Sequence, residues 1–115
     1  MQMNIYNETK GTLIADQAVK AAGFLARGRG LMMASPLSSG GGLVIEPCNS
    51  IHMFFMRYPL DAVFLDEQGT VVFMYCAIKP WRVGRIVRHA RCVIELPVGA
   101  IASSRTEVGD KVKMN

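Results

Sequence analysis

A chain of 115 residues, half of them apolar, has the size of one domain with a single core and is too short for two. Apolar and aromatic residues spread along the whole length argue against a disordered tract, and no apolar run approaches the roughly 20 residues of a membrane-spanning helix. The net charge of +4, from 13 Lys and Arg against 9 Asp and Glu, is modest, but its placement is uneven.

One domain over residues 1–115 is therefore expected. Residues 1–10 have no basic start, apolar middle or small-residue cleavage site, so the expected location is cytoplasmic, or periplasmic if an export signal has been removed. The cysteines Cys48, Cys76 and Cys92 are widely spaced and form no C-x-x-C pair. They read as reduced core residues, with a Cys76–Cys92 bridge as the sharper alternative.

The first elements are short apolar runs over 2–7 and 11–15, divided by Asn7 and Gly11, which predict an opening hairpin. From Val19 to Leu31 the apolar positions Val19, Ala22, Leu25 and Ala26 take helical spacing, and Gly28 and Gly30 would end that helix early. The stretch from Ser35 to Gly42 has little to bury and reads as a flexible loop. No Gly-Lys-Ser/Thr or G-x-G-x-x-G accompanies its glycines, which argues against nucleotide binding.

Strands are predicted at Leu43–Glu46, Ser50–Met56, Leu60–Leu65, Thr70–Ile78 and Arg91–Leu96. Asp66-Glu67-Gln68-Gly69 suits a type I turn closing on a left-handed glycine, so Asp61–Ile78 should form an antiparallel hairpin. A helical turn at Val98–Ser104 and a last strand near Lys111–Met114 complete the chain. The expected fold class is α+β, mostly β: a compact small β-barrel or sandwich-like domain with one or two short helices.

Alternation through Ile51–Met56 places His52, Phe54 and Met56 on one strand face. A buried imidazole needs a partner, and Asp61, across the bend at Arg57-Tyr58-Pro59, is the candidate. His52 as base, Asp61 as its orienter and Arg57 or Arg82 as anion clamp would make a minimal enzyme, though no nucleophile or metal set accompanies them. Two scattered histidines are a poor ligand set, so no metal and no cofactor is expected. Lys79, Arg82, Arg85, Arg88 and Arg91 recur every third residue with no acid between them, beside the single Trp81. A period of three fits neither strand face and predicts an irregular, exposed excursion. Trp81 is either a plug for the end of the barrel, the commoner use, or an exposed platform.

Three segments occur in order: Arg27-Gly28-Arg29-Gly30-Leu31-Met32, the run from Phe55 to Asp66, and Val93-Ile94-Glu95-Leu96-Pro97-Val98-Gly99. With the Val108-Gly109-Asp110 ending they resemble the bacterial family called domain of unknown function 192, also uncharacterised protein family 0127, over about residues 12–113. The family often carries an acid before its Arg-Gly-Leu-Met motif, where this chain has Ala26 and Arg27. The resemblance implies a β-rich α+β fold and brings no activity, substrate or cofactor. The functional expectation is a small non-enzymatic binding or accessory domain whose basic face takes an anionic ligand or protein partner. Its candidate binding residues are His52, Arg57, Asp61, Trp81, Arg82 and Arg85. Nucleic acid is the less favoured partner, because only one aromatic residue lies within the basic stretch.

Overall fold

The computed structural model describes residues 2–20, 37–51 and 58–115. Within them the strands are β1 (Gln2–Asn7), β2 (Thr12–Lys20), β3 (Gly41–Ile45), β4 (Leu60–Leu65), β5 (Val71–Ile78), β6 (Cys92–Leu96) and β7 (Val112–Met114), and a short helix α1 (Ala100–Ser104) lies between β6 and β7. The strands form one sheet in the order β5-β4-β6-β3-β2-β1-β7. Every neighbouring pair is antiparallel except β2 and β3, which run parallel, with Gln17 opposite Gly41 and Lys20 opposite Val44.

Both predicted hairpins form. Asn7 accepts the Gly11 N–H to close the first, with Gly11 at φ 69°. In the second, the Asp66 carboxylate accepts the N–H groups of Gln68 and Thr70 at 2.9 Å, and Gly69 takes φ 81°. A β-carbon at Gly69 would also stand 2.9 Å from the Val112 carbonyl oxygen, so both backbone angle and space call for glycine there.

Strands β3, β4 and β6 are buried along their whole length, as expected of central strands covered on both faces. Their alternation feeds two apolar clusters. One contains Val44, Val63, Leu65, Ile94 and Leu96 with Ile5 of β1, Val71 of β5, Ile101 of α1 and Val112 of β7. Residues from both ends of the sheet meet in that cluster, so the sheet curls around it. The other contains Leu43, Ile45, Leu60, Ala62, Phe64, Ile78 and Val93, covered by Ile51 and Val87 from the connecting segments.

The barrel alternative is corrected by this geometry. The two edges meet only locally, at the bridge between Thr70 and Lys111 and the backbone bonds beside it from Val112 N–H to Gly69 O, Val71 N–H to Asp110 O and Gly109 N–H to Val71 O, and no ladder between β5 and β7 closes the sheet. Val19 and Lys20, expected to begin a helix, continue β2; the rest of that predicted helix lies outside the described residues. Gly41 and Gly42, expected in a flexible loop, are buried in β3. A β-carbon at Gly42 would lie 3.2 Å from Leu96 and 3.4 Å from Ala18, so close packing explains this glycine. Ser50 and Ile51 are not in a strand, and residues 52–56 of that predicted strand lie outside the described residues. None of the three cysteines is in a disulfide, and only Cys92 is buried, its thiol pushed up to about 12 chiefly by burial; Cys76 is exposed.

Polar side chains tie the C-terminal segment to the first hairpin. The Asn7 amide donates to Thr106 Oγ1 at 3.1 Å and to Asp110 Oδ2 at 2.9 Å, and Lys10 Nζ reaches the same Asp110 oxygen at 2.7 Å. These donors, Asn7 first, hold the Asp110 carboxyl below the usual carboxylate range.

Candidate functional site

The connection between β5 and β6 is the irregular, exposed excursion the charge spacing predicts. Residues 79–91 contain no strand or helix, and Lys79, Arg82, Arg85, Arg88 and Arg91 are all exposed. This strap is nevertheless fixed by its backbone: Gly84 N–H donates to Ile51 O at 2.9 Å, Val87 N–H to Asn49 O at 2.8 Å, and Arg91 N–H to Leu65 O at 2.7 Å. Arg85 N–H donates to the Tyr75 hydroxyl at 2.9 Å, and the Arg85 guanidinium lies 5.1 Å from the centre of the Phe73 ring. At Gly84 a β-carbon would sit 2.9 Å from Ile51 O and 3.3 Å from the Tyr75 ring, so the strap lies close on its support. Val87 points inward and is 6% exposed.

The outward side combines two kinds of side chain. Trp81, Val83 and Ile86 are 58%, 67% and 70% exposed, interleaved with the arginines. Trp81 is thus an exposed platform rather than a core plug, and its φ of 67° turns the chain at this point. None of the five strap cations joins an ion pair among the described residues, where the ion pairs involve Lys10 and Lys20. The strap's far end is less purely cationic: His89 and Arg91 share a hollow of about 500 Å³ with Asp66 and Glu67.

Asp61 has a different position. It is 2% exposed, and its two oxygens receive three backbone donors: Ala77 N–H at 2.8 Å, Gly99 N–H at 3.1 Å and Ile101 N–H at 3.1 Å. One carboxylate therefore holds the end of β5, where Ala77 adopts φ 56°, and the start of α1. His52 and Arg57, and with them the expected His52–Asp61 pair, lie outside the described residues. Asp61 is not brought together with the strap residues in any described contact, so the described candidates divide into an internal anchor, Asp61, and a surface face with Trp81, Arg82 and Arg85.

Sequence reasoning missed Glu95. It stands on β6 opposite Leu43 of β3 and Ala62 of β4, is 7% exposed, and burial raises its carboxyl to about 7. Its charge also raises Tyr58, after the larger effect of that phenol's own burial. The signal was legible, because alternation along Cys92–Leu96 puts Glu95 on the same face as Val93. Among the described residues no group of three His, Cys, Asp or Glu side chains is placed to hold a metal ion, and no helix is long and apolar enough to cross a membrane.

Comparison with known proteins agrees with this fold. The crystal structure of a protein of unknown function from Novosphingobium aromaticivorans superposes with a TM-score of 0.80 at 20% identity, covering 96% of this chain and 82% of that one. That of a proposed transcription regulator from Sinorhizobium meliloti gives 0.80 at 19%, covering 97% and 91%. A UPF0127 protein of Thermococcus gammatolerans is 38% identical over 112 residues, 94% of this chain and 72% of its own. Another, from Pyrococcus abyssi, is 36% identical over 115 residues, 95% of each chain. These two sources are archaeal, which corrects the expectation of a bacterial family. The family model described as "Uncharacterized ACR" matches residues 5–114, and the chain belongs to that family, domain of unknown function 192.

Proposed function

We propose that the protein is a small non-enzymatic binding module whose strap, residues 79–91, takes an anionic partner. The observation that carries this reading is the set of exposed cations outside any described ion pair, held on a backbone fixed at Gly84, Val87 and Arg91. A fixed cationic surface is ordered before it binds, so little conformational freedom is lost on association. The three backbone donors on Asp61 support an anchoring role for that residue.

The test is a titration with polyglutamate, single-stranded RNA and inorganic polyphosphate at low and moderate salt. Binding that weakens as salt rises, and is reduced in an Arg82→Ala/Arg88→Ala variant of unchanged melting temperature, is expected. Arg85 is spared in this variant because its guanidinium also packs on Phe73. Absence of binding by these polyanions and by anionic vesicles, or binding that the double variant leaves intact, would contradict the reading.

A further inference from the structure

We infer that the anionic partner of the strap is a lipid surface, with Trp81, Val83 and Ile86 entering the boundary between headgroups and acyl chains while Lys79, Arg82, Arg85 and Arg88 meet the lipid phosphates. This rests on the reading that the strap is the binding face. Charge alone does not select among polyanions; the apolar residues do. Val83 and Ile86 are 67% and 70% exposed, and such branched aliphatic side chains offer nothing for a nucleobase to stack on. Trp81, Val83 and Ile86 are each more than half exposed, so these side chains stand out from the strap. Single apolar side chains projecting between cations suit a fluid surface, which yields to each of them and supplies phosphate around them. Tryptophan, with an apolar ring and one N–H donor, is suited to the interfacial layer.

The backbone bonds explain why the arrangement persists without lipid. Gly84 and Val87 are tied to Ile51 and Asn49, and Val87 is buried, so Val83 and Ile86 are held outward instead of collapsing onto the sheet. The contact is peripheral and reversible, requiring both insertion and charge.

The experiment uses the full chain with vesicles of phosphatidylcholine alone, and of phosphatidylcholine mixed with phosphatidylglycerol, read by sedimentation. Because Trp81 is the only tryptophan, its emission reports on the strap alone. Partition onto the mixed vesicles only, a blue shift of Trp81 emission and quenching by lipids brominated on their acyl chains are expected. At about 1 kcal/mol for each basic residue near the surface, Arg82→Ala/Arg88→Ala should weaken partition about 30-fold at low salt. Ile86→Ser should weaken it with no change in melting temperature. If the double variant fails to fold, Arg82→Gln alone is used, with a correspondingly smaller loss. Salt-sensitive binding of polyglutamate or RNA without partition to the mixed vesicles would overturn the lipid inference and leave the binding-face reading standing. Partition without a blue shift or quenching would overturn insertion, and the absence of binding to either vesicles or polyanions would remove both readings.

Discussion

Glu95 gives this small protein a pH dependence opposite to that of most carboxylates. Its folded value of about 7 lies above the ordinary 4.5, so the folded state holds the proton more tightly than the unfolded chain does. The stability this contributes is full below about pH 4.5 and is lost as pH rises through about 7. Glu95→Gln should therefore raise stability at about pH 8 by up to about 3 kcal/mol and flatten the decline between those values, as read from denaturant unfolding across pH. A variant less stable than the parent at that pH would mean the ionised carboxylate has a stabilising partner. Asp61 makes the contrasting case, a buried carboxylate with three N–H donors. Asp61→Ala strands those donors and should cost about 3 kcal/mol, measured as a lower denaturation midpoint.

Among the elements, those with local causes were legible and those set by distant contacts were not. The turn at Asp66–Gly69 follows from residues adjacent in sequence, and it forms with Gly69 at φ 81°. Gly69→Val meets both that angle and the Val112 carbonyl, so it should lower the unfolding midpoint by roughly 2–3 kcal/mol of stability; an unchanged midpoint would require a differently built turn. Strands β4, β5 and β6 were evident from their Val, Ile and Phe content. By contrast, Gly41 and Gly42 looked like a loop because nothing nearby in sequence reveals that Ala18 and Leu96 press on that strand. Val19 and Lys20 fit a helical period, yet pairing with Leu43 and Val44 draws them into the sheet, since tertiary contacts override weak local propensity. The strap was legible as a charge pattern, whereas the outward position of Trp81 was not, because it depends on which strap residue is buried; that residue is Val87.

Considered as a whole, the molecule is a curled sheet with one apolar cluster inside the curl and another on its opposite face, and the strap covers part of the latter. Packing thus fixes the underside of the strap, through Val87 and the Arg85 guanidinium on Phe73, and leaves Trp81, Arg82, Val83, Ile86 and Arg88 exposed. A rival surface exists on the same molecule: a hollow of about 550 Å³ lined by Leu13, Asp16, Gln17, Gly40, Val98 and Ser103, among others, with an acid instead of a cluster of cations. The two surfaces are distinguished by following backbone amide resonances of the isotope-labelled protein while polyglutamate is added at low salt. The account predicts shifts confined to the strap amides, including Arg82, Gly84, Arg85 and Arg88, that reverse when salt is added. Shifts centred on Asp16, Gly40 and Ser103, with the strap unmoved, would contradict it.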